Sequence, residues 1–153
     1  MDIATLVARD AVFTNVDAHS KKHAIQEVSA AAARLTKLPE RAIFDTLLQR
    51  ERLGSTGIGR GIAIPHGKLV DLDGLVGLFF RLAEPIPFDA LDDEPVDLLF
   101  VLLAPEDAGA DHLKALAKIA RIMRTPNMVD EIREAGTRAE VHALLTRAPV
   151  SAA

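Results

Sequence analysis

The sequence predicts a three-layer α/β/α domain, and two features carry that expectation. Leu75 to Leu82 and Val96 to Ala104 are nearly continuously apolar, which is the pattern of strands buried on both faces. Covering both faces takes helices, and amphipathic segments flank these strands: Lys21 to about Leu35 and a second from Pro39 before them, then Asp111 to Arg124, Pro126 to Ala135 and Arg138 to Arg147 after them. At 153 residues, 49% hydrophobic and 26% charged, the chain has the length and composition for one core and not for disorder. Residues 1–148 are read as one domain, with Pro149 to Ala153 expected to fray.

Taken in order, Ile3, Leu6 and Val7 have the spacing of a short opening helix, and Val12 to Val16 reads as a strand closed by Asn15 and Asp17. Ser20 is suited to cap the helix that begins at Lys21, whose Ile25, Val28, Ala32 and Leu35 share a face. Pro39 suits the first position of the next helix, with Ile43, Leu47 and Leu48 apolar and Gly54 placed to end it in a left-handed conformation. A glycine-rich loop follows, then a short strand Ile62 to Ile64. The acid- and proline-rich stretches Glu84 to Asp89 and Asp92 to Pro95 read as turns, too short for a linker. Glu106, Asp107 and Asp111 are read as first-turn carboxylates of the following helix, with Leu113, Leu116, Ala117 and Ala120 as its core stripe.

Composition also narrows function. A net charge of -4 without Tyr or Trp disfavours a nucleic-acid-binding surface, which would be basic and supplied with stacking aromatics. The strongest apolar run, Leu98 to Ala104, is far short of the roughly 20 residues that cross a bilayer, and no signal peptide is evident, so the cytoplasm is the expected location. The absence of Cys excludes disulfides and thiolate zinc sites.

Chemistry is expected at the stretch from Arg50 to Lys68. Gly54, Gly57, Gly59 and Gly61 allow backbone N–H groups to approach an anion, and Ser55 and Thr56 add hydroxyl donors. Neither nucleotide motif fits: Arg60-Gly61 stands where a P-loop needs Lys followed by Ser or Thr, and Ile62 where a dinucleotide loop needs its third glycine. ATP and NAD are thereby disfavoured, and no cofactor is expected. What remains is a phosphoryl-holding loop beside a candidate nucleophile, His66, whose neutral imidazole could carry phosphorus as a labile phosphoramidate. Pro65 stiffens the approach to it and Gly67 is expected to leave open space around the ring. Arg50 and Arg60 are both candidates for charge stabilisation.

The run Gly54-Ser55-Thr56-Gly57-Ile58-Gly59, followed by Gly61-Ile62-Ala63-Ile64-Pro65-His66-Gly67-Lys68, closely resembles the active-site signature of phosphotransferase-system IIA domains of the fructose/mannitol type, and within them the nitrogen-regulatory branch. The similarity continues through Pro85 to Ala90 and Pro95 to Phe100 and covers nearly the whole chain. The resemblance implies a mixed sheet sandwiched by helices. It implies that His66 takes a phosphoryl group on Nε2 from an HPr-like carrier, that Arg50 contacts that group, and that His112 is a second active-site histidine. Arg60 falls at a variable position and ranks below Arg50. The resemblance further implies a regulator whose phosphorylation state governs partners such as potassium-transport proteins and sensor kinases. The alternatives are a sugar-transport IIA protein that passes phosphate to a IIB domain, and a non-covalent anion-sensing module.

The three other histidines are weighed on their residues alone. His19 and His23 have metal-ligand spacing, but Ser20 as the cap puts His19 outside the helix and no third ligand is near, so no metal is expected. His142 is read as exposed on its helix.

Overall fold

The computed structural model describes residues 2–147, so the terminal stretch from Pro149 lies outside the described residues. A short helix α1 (Ile3–Leu6) and a 3-10 turn (Arg9–Ala11) lead into β1 (Val12–Val16), then α2 (Lys21–Thr36) and α3 (Glu40–Arg52). Four strands follow closely, β2 (Gly57–Gly59), β3 (Ile62–Ala63), β4 (His66–Leu69) and the long β5 (Val76–Ile86), before β6 (Val96–Pro105). The chain closes with α4 (Ala110–Met123), α5 (Pro126–Glu134) and α6 (Arg138–Thr146).

The strands form one mixed sheet in the order β1-β5-β6-β3-β2, with β4 also paired to β6. β6 runs antiparallel to β5 and parallel to both β3 and β4, while β1 is parallel to β5. Its apolar run explains its central place: every residue from Leu98 to Ala104 is buried, so both faces are covered. α2 and α3 pack on one another, with α3 against β4; α4, α5 and α6 pack in succession, α4 reaching β6 and α6 reaching β1. The three-layer expectation and the mixed sheet both hold.

Local signals explain most boundaries. Ser20 caps α2, its Oγ accepting from the His23 amide at 3.1 Å. Pro39 is the N-cap of α3, one residue outside the expected first position, and Pro126 opens α5 as expected. Gly54 follows the helix with φ +150°, a positive value well beyond the ordinary left-handed cap.

Several expectations are corrected. The glycine stretch is a hairpin rather than an open loop. The core stripe of α4 is His112, Ala115, Ile119 and Met123, while Leu113 is 69% exposed. A buried histidine turns that helix by about one residue from what its leucines suggest. Gly109 takes the N-cap of α4 without a side-chain cap, leaving only Asp111 in the first turn. His142 is half-buried, its Nε2 donating to the Val7 carbonyl at 3.0 Å and tying α6 to α1.

Candidate functional site

The register of β6 places His66. β3 pairs Ile62 with Leu98 and Ala63 with Leu99, and β4 resumes on the same strand with His66 opposite Leu102. Pro65 bridges the two, lacking an N–H to donate but accepting from the Leu102 amide through its carbonyl at 3.0 Å. The imidazole therefore leaves a fixed backbone.

Both ring nitrogens are committed. Nδ1 lies 2.8 Å from the Ile64 carbonyl, an oxygen that can only accept, so Nδ1 carries the proton. Nε2 consequently presents a lone pair, and Arg50 Nε donates to it at 3.3 Å. The same guanidinium donates through Nη1 to the Gly54 carbonyl at 2.8 Å, which fixes its plane. His112 stands edge-on, its ring centroid 5.6 Å from that of His66 and the planes at 76°. It is only 7% exposed, and its Nε2 has no hydrogen-bond partner among the described residues. Three elements thus meet at one point: the end of α3, the start of β4 and the first turn of α4.

Electrostatics keep the pair neutral. Burial is the main cause that lowers the pKa of His66, the Arg50 guanidinium lowers it further, and the Ile64 carbonyl and Glu51 pull the other way. Burial also lowers His112 first, followed by repulsion from His66 whenever that ring is protonated and from the Lys68 charge. A folded-state pKa below the unfolded value makes a contribution to stability that is complete above the unfolded pKa of 6.5 and lost as pH falls through the folded value. Urea midpoints should therefore drop between about pH 7.5 and about pH 5, and the drop should shrink in a His66→Gln/His112→Gln double variant. An equal drop in that variant would assign the acid sensitivity elsewhere.

The glycine hairpin is a built support. Gly59 pairs with Ile62 across a two-residue connection in which Arg60 and Gly61 both have positive φ, 60° and 80°. That is the requirement of a type I′ turn, and Ile-Gly-Arg-Gly-Ile is its legible signature. Arg60 tolerates the conformation because its backbone is held at both ends: its N–H donates to Asp92 at 2.9 Å and its carbonyl accepts from Arg133 Nη2 at 2.6 Å. Arg133 is itself paired with Asp97 at 2.8 Å. Arg60 therefore serves the hairpin through its backbone.

The hydroxyls expected to face an anion are spent within the fold. Ser55 donates to the Phe88 carbonyl at 2.6 Å and accepts from the Gly57 amide at 3.0 Å. Thr56 donates to the buried Glu51 carboxylate, which also accepts from the Thr56 amide. Nor does Gly67 leave open space: a Cβ there would stand 2.6 Å from Thr46 Cγ2, so this glycine admits α3 close against β4 beside the ring. Gly57 is similarly crowded, a Cβ meeting that of Ala90 at 2.7 Å. Gly57→Ala should thus cost about 1–3 kcal/mol, measured by urea unfolding, by pushing the hairpin from Ala90, where the 90–93 turn begins. An unchanged midpoint would mean that the two segments separate freely.

Residue reading missed Glu51 and Lys21, which meet at 2.9 Å under the hairpin. A signal existed: Ile43, Leu47 and Glu51 are spaced by four, so the glutamate continues the buried face of α3. His19 and His23 approach one another with ring centroids 5.5 Å apart, and no group of three metal-binding side chains occurs among the described residues.

A half-buried imidazole with an arginine on its Nε2 lone pair and a second histidine beside it thus stand together on a mixed α/β sheet. The chain belongs to the EIIA 2 family of the phosphoenolpyruvate-dependent sugar phosphotransferase system, matched over residues 5–148. It is 50% identical over 153 residues to a nitrogen regulatory protein of Bradyrhizobium diazoefficiens, covering 100% of both chains. It is 40% identical over 147 residues to a nitrogen regulatory protein of Escherichia coli, covering 95% of this chain and 90% of that one. The crystal structure of nitrogen regulatory protein IIA-Ntr from Neisseria meningitidis superimposes with a TM-score of 0.89 at 35% identity, over 94% of this chain and 99% of that one.

Proposed function

We propose that the protein is a phosphoryl-accepting regulator of a nitrogen-type phosphotransferase system, with His66 as the residue modified. The observation that carries this reading is the commitment of the ring: Nδ1–H on the Ile64 carbonyl and Nε2 facing Arg50. Such a ring attacks through Nε2 only. The Nε2 lone pair forms a bond to phosphorus as the bond to the donor's histidine nitrogen breaks, and that electron pair leaves on the donor ring. Nδ1 keeps its proton and the Ile64 carbonyl supports the positive charge that the ring acquires. Arg50 must then move its N–H from the lone pair to the phosphoryl oxygens, a shift within one guanidinium's reach.

The donor suited to this surface is another protein's phosphohistidine. Exposed leucines adjoin the residues of the site in sequence: Leu53, 86% exposed, lies three positions after Arg50, and Leu113, 69% exposed, follows His112. Exposed leucines around a polar centre suit protein docking. An HPr-like carrier fits, and the phosphorylated state, with roughly -1.5 to -2 added charges, would alter how the same surface meets regulated partners. The names of the similar proteins support the nitrogen branch. No helix among the described residues is long and apolar enough to cross a membrane.

The test is incubation with enzyme I, an HPr-type carrier and phosphoenolpyruvate. One acid-labile, alkali-stable phosphoryl group per chain is expected, with no rapid onward transfer to a fructose- or mannitol-type IIB protein. Rapid transfer would favour sugar transport, and phosphate binding without a phosphohistidine would overturn covalent chemistry.

A further inference from the structure

We propose that Glu51, neutralised by Lys21, is the positioning residue that holds both nitrogens of His66 from opposite sides. The inference rests on the phosphoryl-accepting reading of His66 and adds to it a support that lies beneath the reacting atoms. Glu51 is 6% exposed, and both oxygens of its carboxylate are engaged. One oxygen accepts from Lys21 Nζ at 2.9 Å and from the Thr56 amide at 3.1 Å, the other from the Thr56 hydroxyl.

Two paths lead from that carboxylate to the ring. Along the first, Thr56 is fixed by Glu51, the Thr56 carbonyl accepts from the Ile64 amide at 3.0 Å, and the Ile64 carbonyl holds His66 Nδ1 at 2.8 Å. Along the second, anchoring Glu51 fixes the last turn of α3, and the adjacent Arg50 reaches Nε2 at 3.3 Å. The first path sets the tautomer and the second aligns the lone pair. Neither path includes an apolar contact that a leucine at position 51 would supply, although such a replacement can match a buried ion pair for stability.

Lys21 answers a different need. An unpaired carboxylate next to Arg50 would draw on the positive charge meant for a phosphoryl dianion. Lys21 Nζ neutralises it from α2, and lies 4.8 Å from the Phe88 ring centroid and 3.9 Å from Asp89. The charged or titratable groups around His66 are then Arg50 and Glu51 from α3, His112 from α4 and Lys68 on β4 itself.

The experiment follows the His66 ring by nitrogen-15 and proton NMR in the unphosphorylated protein, comparing Glu51→Ala, Glu51→Gln, Lys21→Met and Lys21→Met/Glu51→Gln. Glu51→Ala should lose the single Nδ1–H tautomer and accept phosphate from the carrier at least about tenfold more slowly, through lost positioning. The isosteric variants keep the packing and read charge: the His66 titration should rise by about half a pH unit in Lys21→Met, fall by about as much in Glu51→Gln, and return near the wild-type value in the double variant. If Glu51→Ala does not fold, the two isosteric substitutions still decide. A folded Glu51→Ala protein with an unchanged tautomer, or isosteric variants with unmoved titrations, would overturn the inference. Failure of the wild-type protein to be labelled would instead overturn the phosphoryl-accepting reading, and the tautomer measurement stands apart from it.

Discussion

His66→Ala is expected to eliminate phosphorylation by the carrier completely, whereas His112→Ala is expected to slow it and leave the same stoichiometry. The distinction comes from the two second nitrogens. His66 Nε2 faces Arg50 on a half-exposed ring, while His112 Nε2 is buried and can be reached by no donor protein without opening α4. Removing the nucleophile ends covalent chemistry, since arginine and a buried imidazole can stabilise charge but cannot accept phosphorus here. The measurement is acid-labile label per chain at completion and its initial rate, with folding checked by circular dichroism. Label persisting at wild-type stoichiometry in His66→Ala would move the acceptor to another residue. Full loss in a folded His112→Ala protein would mean that the two rings act as one unit.

How far this site can be read without a structure depends on whether a residue's partner is near it in sequence. Pro65 and the apolar run of β6 announce a strand path beside a central strand, and the structure delivers His66 at its restart. Arg60-Gly61 between Gly59 and Ile62 fits a tight turn, whereas glycine content by itself points to an anion cradle. Ser55 and Thr56 illustrate the cost of that reading. A hydroxyl's direction depends on Phe88 and Glu51, neither of which any local pattern connects to it. His112 is beyond composition and periodicity altogether: it is buried on an α4 that packs against β6, 46 positions after His66 by their numbers. Only the family resemblance singled it out, while the leucines of α4 pointed the helix the wrong way.

Arg50→Met should reduce the rate of phosphoryl acceptance by about 10²–10³-fold, the usual loss on removing one preorganised charge donor. Two effects combine. The transition state loses the guanidinium that can pass from Nε2 to the phosphoryl oxygens, and the ring loses a positive neighbour that holds its pKa down. The second effect has a definite sign: with that charge gone the His66 titration moves upward, so a larger share of the ring is protonated and unreactive as pH falls towards neutrality. The rate deficit should therefore widen on acidification and narrow, without closing, above the titration of the ring. Arg50→Lys separates charge from shape. An ammonium restores the positive charge but cannot donate to Nε2 and to the Gly54 carbonyl from one rigid plane, so it should recover about tenfold of the loss and return the titration close to wild type. Full recovery by lysine would reduce the role of Arg50 to charge alone. A wild-type rate in Arg50→Met would remove it from the site.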